Sequence, residues 1–290
     1  MTTSQALNGK ICLVTGATSG IGLATAEALA RMGVHVVGVG RNQDKCAATA
    51  SRIKQESGNQ SVDFLVADLS SQRDIRRLAD EVRNTYGRVD VLVNNAGGYY
   101  SKRQESPDGI ELTLALNHLG YFLLTNLLLG VLTSSAPSRV VNVSSARHGD
   151  IALNFNDLQM TNKYSGGAAY DHSKLCNLLF TYELARRLAG TGVTVNAVAP
   201  GLVRTNLGLQ NGGMDSLQKR FANRLPFAVG PEKGAETVVY LASSPDVEDV
   251  TGKYFARMKQ AESSPESQDR AAAERLWKLS EEMTGLAKPV

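Results

Sequence analysis

The feature that most constrains the fold is the alternation of short apolar runs with longer amphipathic stretches. The runs are rich in Val, Ile and Leu with little polar alternation, which is typical of strands covered on both faces. They lie at 11–15, 35–40, 62–67, 89–94, 139–144, 193–199 and 253–255. Helical patterns lie between them, at 21–32, 43–57, 71–86, 108–134, 168–190 and 231–243. This rhythm predicts an α/β fold, a doubly wound parallel sheet of about seven strands with helices on both faces, in the Rossmann arrangement.

Two long connectors interrupt the rhythm, at 147–167 and 204–230. Long connectors inside a compact domain are uncommon and often functional. We therefore expect both to shape a substrate pocket, with the second acting as a lid that orders when substrate closes it. The chain of 290 residues is predicted to form one domain over 1–260, lid included. A tail over 261–290 follows, with a mobile Ser/Pro-rich stretch at 262–268 and an amphipathic helix at 271–283.

Composition excludes several classes of function. The net charge is +3, from 31 Lys and Arg against 28 Asp and Glu, and it is too small and too interspersed to indicate nucleic acid as a partner. The three cysteines and four histidines have no metal-ligand or disulfide spacing, so we expect no metal and a reducing compartment. The N-terminus has no apolar signal core, and no uninterrupted apolar run reaches about 18 residues. A cytoplasmic protein without a transmembrane anchor is expected.

A glycine-rich turn follows the first strand and opens an Ala-rich helix. The chain there reads Thr15-Gly16-Ala17-Thr18-Ser19-Gly20-Ile21-Gly22. Gly16 permits a tight turn, Gly20 lets the backbone approach a pyrophosphate, and Gly22 lets helix and strand pack closely. The helix N-terminus offers N–H groups to phosphate. Glycine spacing alone is a weak signal, but this position predicts a dinucleotide site that includes Thr18, Ser19 and Ile21.

The end of the second strand indicates which dinucleotide binds. An acidic residue there would bind ribose hydroxyls, whereas this chain has Gly40-Arg41. A guanidinium can clamp a 2′-phosphate with a fork of donors, so NADP(H) is predicted, with Lys45 adding charge. The alternative is that Arg41 is a solvated surface residue. Asp68, after the third strand, either accepts from the adenine amino group or caps the helix that begins near Ser70.

Tyr170 and Lys174 stand four residues apart on a predicted helix and therefore share a face. A free phenol has a pKa near 10, and a nearby ammonium is expected to lower it so that Tyr170 acts as acid and base beside the cofactor. Lys174 can also hold ribose hydroxyls. Ser144 and Ser145 end the fifth strand, where a hydroxyl can hydrogen-bond a substrate oxygen or simply make a turn.

Three further segments complete the predicted site. Asn117 interrupts an apolar helix and either holds a water that links Lys174 to solvent or is a satisfied core amide. The turn Asn94-Asn95-Ala96-Gly97 ends the fourth strand and would line the cofactor floor. The turn that begins at Pro200-Gly201 follows the sixth strand, and its Thr205 could bond the nicotinamide carboxamide.

Together these motifs resemble the short-chain dehydrogenase/reductase family, over about residues 8–256 and in the expected order. The resemblance implies a catalytic tetrad of Asn117, Ser145, Tyr170 and Lys174, in which Ser145 rather than Ser144 is the catalytic serine. It also implies homodimers or homotetramers. The cofactor-binding set that we predict adds Leu69 and Val203, and comprises Gly16, Thr18, Ser19, Gly20, Ile21, Gly22, Arg41, Asp68, Leu69, Asn95, Ala96, Gly97, Tyr170, Lys174, Pro200, Gly201, Val203 and Thr205.

A narrower resemblance is to the retinol-dehydrogenase-like branch, carried by residues 141–149, 169–188 and 248–277 and by the long gap between Ser145 and Tyr170. Membrane-bound members carry an N-terminal apolar anchor, which this sequence does not show. The resemblance thus implies a soluble NADP(H)-dependent oxidoreductase that acts on a small-molecule carbonyl or alcohol, with an apolar aldehyde or ketone as the expected substrate. Two alternatives stay open: a C=C reductase of the same fold, and a scaffold that binds NADP without turnover.

Overall fold

A computed structural model describes residues 7, 9–149, 151–201, 203 and 229–286. In this part of the chain one sheet has eight strands, in the order β3-β2-β1-β4-β5-β6-β7-β8. The strands are β1 Ile11–Thr15, β2 His35–Gly40, β3 Val62–Val66, β4 Val91–Asn94, β5 Ser138–Val143, β6 Val193–Ala199, β7 Lys253–Ala256 and β8 Lys259–Ala261. All neighbouring pairs are parallel except β7 and β8. The predicted doubly wound sheet is confirmed.

Seven α-helices surround the sheet in the described residues. They are α1 Gly20–Arg31, α2 Gln43–Ser57, α3 Gln72–Tyr86, α4 Leu112–Ser134, α5 Gly166–Arg187, α6 Pro231–Ser243 and α7 Arg270–Thr284. One apolar layer joins α1, α2 and α6 to one face of the sheet, and a second joins α3, α4, α5 and α7 to the other. Since β1 lies between β2 and β4, the order of connections reverses at β1. The crevice at the carboxyl ends of β1 and β4 is where such sheets bind ligands.

Helix α4 is not a regular α-helix along its length. Its first turn is capped by the Glu111 carboxylate, which accepts from the backbone N–H groups of Thr113 and Leu114 at 2.9 and 2.7 Å. A π-helical turn follows over Ala115–Leu119 and includes Asn117. The helix begins at residue 112 rather than at the predicted 108, because Glu111 supplies the cap. π-Helical turns in α-helices are frequent at functional sites.

The C-terminal region differs from expectation in two respects. Strand β8 was not predicted, because it is short and polar and follows a turn at Arg257 and Met258, whose φ angles are 52° and 59°, without the usual Asn or Gly. The stretch 262–268 was expected to be mobile, yet it forms a 3₁₀ turn over Pro265–Gln268. The Ser263 hydroxyl lies 2.7 Å from those of Tyr182 and Ser267, so hydroxyl groups attach this stretch to α5.

Helix α7 packs on the sheet's second face. The Trp277 ring contacts the rings of Phe122 and Phe180, with centroids 5.0 and 5.9 Å apart. The Arg187 guanidinium lies 4.0 Å from the Trp277 ring centroid. The amphipathic helix predicted at 271–283 therefore exists, and its apolar side joins the main core.

One helix in the described residues, Leu112–Ser134, is long and apolar enough to cross a membrane by length and composition. In this fold it is α4, and 67% of its most apolar window is buried inside the structure. A core helix of a globular protein meets the same criterion, so this helix alone is weak support for a membrane span.

Candidate active site

A cavity of about 980 Å³ opens at the carboxyl ends of the central strands. It extends from the glycine-rich turn to the middle of α5, so the predicted nucleotide and catalytic ends share one space. Its wall contains most of the predicted cofactor residues, namely Gly16, Thr18, Ser19, Gly20, Ile21, Arg41, Asp68, Leu69, Asn95, Ala96, Gly97, Tyr170, Lys174 and Pro200.

The glycine-rich turn can hold a phosphate group. Gly16 has φ +68°, which favours glycine, and a side chain at Gly22 would collide with the Gly16 carbonyl and the Asn95 amide. Gly22 therefore lies beneath the turn and lets α1 approach β1. Ser19 precedes α1 but makes no side-chain capping bond, and the first turn of α1 has no acidic residue. The N–H groups at this helix N-terminus thus face the cavity without a side-chain cap, as phosphate binding requires.

The end of β2 presents the Arg41 guanidinium to the cavity and leaves no room for an acidic side chain at position 40. A Cβ at Gly40 would lie 2.6 Å from Thr18 Cγ2 and 2.7 Å from Cys46 Sγ. Arg41 and Lys45 both line the cavity, and burial raises the pKa of Tyr100 while the charge of the nearby Arg41 acts to lower it. The buried Tyr100 ring packs against Gly98. Positive charge at this wall suits an anionic group on the ligand.

Two predicted cofactor residues also have structural roles. The Asp68 carboxylate accepts from the Ser70 backbone N–H at 2.9 Å and from its hydroxyl at 2.7 Å. Helix α3 is capped by Ser71 and not by Asp68, whose carboxylate instead stabilises the turn before the helix while the residue still lines the cavity. Asn95 donates from its side chain to the Thr15 carbonyl at 2.8 Å, which fastens the end of β4 to the end of β1 beneath the glycine-rich turn.

Tyr170 and Lys174 line the other end of the cavity, and Ser145 lies close to Tyr170. Tyr170 and Lys174 lie one turn apart on α5, and Lys174 Nζ is 5.5 Å from the Tyr170 ring centroid. The buried Lys174 ammonium donates to the Val143 carbonyl at 3.0 Å. The Ser145 side chain is one of the groups that act to lower the pKa of Tyr170, and its hydroxyl accepts from the Arg147 backbone N–H at 3.2 Å, whereas the Ser144 hydroxyl donates to the Lys174 carbonyl at 2.8 Å. Of the two serines, Ser145 is the one that interacts with the tyrosine, while Ser144 lines the cavity.

The pKa of Tyr170 departs from the sequence-based expectation. Burial raises it to about 12, while the Ser145 hydrogen bond and the Arg147 charge act in the lowering direction. Burial also lowers the pKa of Lys174 to about 8. The phenol is therefore protonated at neutral pH and available as a proton donor, and the expected lowering by Lys174 is not what this packing produces.

Asn117 joins three segments around the catalytic end. Its side-chain oxygen accepts from the Gly98 N–H at 2.8 Å, and its amide nitrogen donates to the Gly98 carbonyl and the Ser173 hydroxyl, both at 3.0 Å. Its side chain is therefore a satisfied core amide that aligns α4, the turn after β4 and α5. A role in a water relay would have to use its backbone in the π-helical turn.

Residues after β6 are only partly described. Gly201 has φ +83°, and Val203 forms an isolated parallel bridge with Val229. A side chain on Gly234 of α6 would meet Val203, so Val203 packs against the start of that helix. Thr205 and residues 204–228 of the lid predicted over 204–230 lie outside the described residues. In the described part of the other connector, 147–167, the Tyr164 hydroxyl donates to the Tyr100 carbonyl at 2.9 Å, and none of these described residues is among those that line the cavity.

The family model for short chain dehydrogenases matches residues 10–213. The chain belongs to the short-chain dehydrogenase family. It is 43% identical to retinol dehydrogenase 14 of Mus musculus, over 97% of this chain and 88% of that protein. It is 41% identical to polyprenol dehydrogenase of Homo sapiens, over 96% and 86%. The resemblance to the retinol-dehydrogenase-like branch is confirmed.

Solved structures with the same fold support this assignment to the family. A protein from Mycobacterium paratuberculosis has a TM-score of 0.77 and 32% identity, covering 99% of this chain and 98% of that one. A short-chain dehydrogenase from Shigella flexneri, complexed with NADP, has a TM-score of 0.68 and 27% identity, covering 87% and 98%. Membership of the short-chain dehydrogenase family makes this protein an oxidoreductase with a nicotinamide cofactor and a small-molecule substrate.

Several side chains of this short-chain dehydrogenase site escaped sequence analysis. Arg147 forms an ion pair with Asp171, at 2.5 and 2.7 Å, beside Tyr170. The Tyr99 ring lies 6.1 Å from the Tyr170 ring. Arg41 acts on the pKa of Tyr100, and the His148 ring contacts the Ser145 carbonyl in the turn after Ser145. Only the closeness of Arg147 and His148 to Ser145 in sequence was a signal, because the other contacts depend on how the loops fold.

Proposed function

We propose that the protein is an NADP(H)-dependent oxidoreductase that interconverts an apolar aldehyde or ketone and its alcohol, with Tyr170 as the general acid/base. The observation that carries this proposal is the placement of Tyr170 beside the buried Lys174 ammonium, which lies 5.5 Å from the tyrosine ring centroid, with the Ser145 side chain acting on the pKa of the phenol. Tyr170 and Lys174 line the same cavity as the glycine-rich turn, so a bound dinucleotide and a substrate would meet there.

Each residue has a separate task in this proposal. When bound, the nicotinamide supplies the hydride for reduction or accepts it in oxidation. The Ser145 hydroxyl donates to the substrate oxygen, and Tyr170 gives its proton to that oxygen in reduction and takes it back in oxidation. Lys174 presents its ammonium to the ribose hydroxyls, and Asn117 keeps α4 and α5 aligned around them. The raised pKa of Tyr170 favours the donor role at neutral pH.

The choice of NADP(H) over NAD(H) rests on Arg41. The guanidinium stands at the cavity wall next to Gly40, where no carboxylate can repel a 2′-phosphate. The relative from Shigella flexneri binds NADP, which supports the same choice here. The positive charge of Arg41 and the lack of room for a carboxylate at position 40 both favour the phosphorylated cofactor.

The substrate class rests on the relatives. Retinol dehydrogenase and polyprenol dehydrogenase are named for long apolar alcohols, and both align along nearly the whole chain. An apolar aldehyde is therefore the substrate class we propose. The cytoplasmic location and the homodimer or homotetramer remain predictions.

The direct test is a product analysis with purified protein. NADPH or NADH would be mixed with nonanal, benzaldehyde, all-trans-retinal and cinnamaldehyde, and the products separated by chromatography. The expected result is alcohol formation with NADPH in preference to NADH, and cinnamyl alcohol from cinnamaldehyde. The saturated aldehyde in place of cinnamyl alcohol would indicate a C=C reductase. Tight NADPH binding with no product from any carbonyl would indicate the non-catalytic scaffold.

A further inference from the structure

His148 lies in the turn that directly follows Ser145 and is buried. Its Nδ1 is 2.6 Å from the Ser145 carbonyl oxygen, and its Nε2 is 3.1 Å from the backbone nitrogen of Ser264. The Tyr254 ring packs edge-on against the imidazole, with centroids 5.1 Å apart. The imidazole ring therefore contacts three segments, which are the turn after Ser145 (the catalytic turn), the C-terminal segment and strand β7.

These partners fix the tautomer of His148. A carbonyl oxygen only accepts a hydrogen bond and a backbone N–H only donates one. Nδ1 must therefore carry the proton and donate to Ser145, while Nε2 must be bare and accept from Ser264. The Ser264 N–H thus selects the imidazole form that can hold the Ser145 carbonyl. An orienting partner that sets the tautomer of a histidine is a recurrent device in active sites.

Ser145 depends on this contact for its backbone position. Its nitrogen side is attached to the sheet, because the Ser144 N–H donates to the Val198 carbonyl at 2.8 Å. Its carbonyl side enters a single 3₁₀ turn, Ala146–His148, and the carbonyl accepts from the His148 backbone N–H only at 3.4 Å. The imidazole at 2.6 Å is the shorter contact. It fixes the peptide plane that carries the Ser145 side chain, whose hydroxyl accepts from the Arg147 N–H at 3.2 Å and which interacts with Tyr170.

The C-terminal segment that holds the imidazole is itself well anchored. The Ser263 hydroxyl accepts from the Gln268 side chain at 2.8 Å and contacts the Tyr182 and Ser267 hydroxyls at 2.7 Å. Ser267 is buried. This cluster of hydroxyls keeps the Ser264 N–H in place against Nε2, so the segment over 262–268 acts as a support for the catalytic turn.

We propose that His148 is a positioning residue for Ser145, with its tautomer set by the C-terminal segment through Ser264. The inference rests on the proposed function, because it takes Ser145 as the serine that contacts the substrate oxygen. A displacement of reacting groups by a fraction of an ångström to an ångström lowers turnover more than it lowers binding of either ligand.

Two amide side chains separate the two contacts of His148. The amide nitrogen of His148→Asn would stand near the place of Nδ1 and keep a donor for Ser145. The amide oxygen of His148→Gln would stand near the place of Nε2 and keep an acceptor for Ser264. His148→Phe keeps the ring and loses both. Since one hydrogen bond is worth about 1 kcal/mol, or about fivefold in a rate, we expect kcat to fall about fivefold or more in the Gln and Phe variants and less than about twofold in the Asn variant.

The assay would measure kcat and KM with NADPH and whichever aldehyde of the panel the wild type reduces fastest. NADPH Kd should stay within about twofold in all three variants. Hydrogen exchange at the Ser264 amide reports the tail contact separately, and should be faster in the Asn and Phe variants. Ser280→Ala is the matched control, because it removes a 2.9 Å contact between α7 and another buried histidine, His118, without touching Ser145. Its kcat should equal that of the wild type.

Two results would overturn the proposal. One is a kcat that falls across the three variants in proportion to faster Ser264 exchange or to lower thermal stability, and the other is normal turnover in the Gln variant. If the Phe variant does not fold, the comparison of Asn with Gln still decides. Tyr170→Phe distinguishes this failure from failure of the proposed function. An inactive Tyr170→Phe with a normal His148→Gln rejects only the role of His148, whereas an active Tyr170→Phe rejects the proposed chemistry itself.

Discussion

Arg41 is the residue on which cofactor choice depends in this account. Arg41→Ala should weaken NADPH binding about ten- to hundredfold, because hydrogen bonds to charged groups are worth about 1.5–3 kcal/mol. NADH binding should change little, since NADH has no 2′-phosphate. The measurement is the dissociation constant of each cofactor by fluorescence titration.

Lys45→Ala is the control for Arg41, because Lys45 adds charge to the same wall from α2. Its effect should be smaller than that of Arg41→Ala. Equal NADPH affinity in wild type and Arg41→Ala would mean that Arg41 does not read the phosphate. An acidic residue at Gly40 is a poor test of the same point, because a side chain there would press on Thr18 and Cys46.

The raised pKa of Tyr170 predicts how the two directions of reaction depend on pH. Alcohol oxidation needs the phenolate, whose fraction grows with pH when the pKa is about 12. Its kcat/KM should rise about tenfold per pH unit between pH 6 and 8, while aldehyde reduction, which uses the protonated phenol, stays level. Initial rates in both directions test this. A plateau of the oxidation rate below pH 7 would show a lowered pKa instead.

At the scale of elements, the packing of α1 against the glycine-rich turn makes two helical glycines respond in opposite ways. Gly22→Ala would push a methyl group into the Gly16 carbonyl and Asn95, so it should cost about 1–3 kcal/mol in the free energy of unfolding and weaken NADPH binding. Gly130→Ala, in α4, meets nothing within 4 Å and should stabilise by about 0.5–1 kcal/mol. Urea unfolding gives both values, and equal effects would refute the packing.

The central elements are recognisable in the sequence for a physical reason. Strands buried on both faces are continuous apolar runs, so β1, β2 and β6 were predicted at their observed bounds. The glycine-rich turn was recognisable because its residues are local in sequence. Strand β8 was missed because it is polar and lies at the edge of the sheet, where burial does not select apolar residues.

The parts of the site that escaped prediction depend on contacts between distant segments. The anchoring of 262–268 comes from serine hydroxyls that reach α5, and hydroxyls carry no periodic signal. The direction of the Tyr170 pKa shift depends on how closely the phenol is packed, which spacing along a helix does not reveal. The partners of Tyr100 and His148 likewise exist only in the folded chain.

At the scale of the whole molecule, a substitution in α7 can show whether the C-terminal tail unfolds together with the main domain. Trp277 lies between Phe122, Phe180 and Arg187. Trp277→Ala should therefore cost about 3–5 kcal/mol and leave one cooperative urea transition. Lys278→Ala, exposed on the same helix, should change stability by less than about 0.5 kcal/mol. A separate early transition for residues 261–290 would show that the tail is an independent unit.

The central claim is that one phenol moves the proton of this reaction, and Tyr170→Phe tests it most directly. The change removes only the hydroxyl, so the fold and the NADPH dissociation constant should be preserved. Single-turnover reduction of the best aldehyde by bound NADPH should slow at least about 100-fold, the scale of general acid catalysis. A rate close to that of the wild type, with NADPH still bound, would contradict the account.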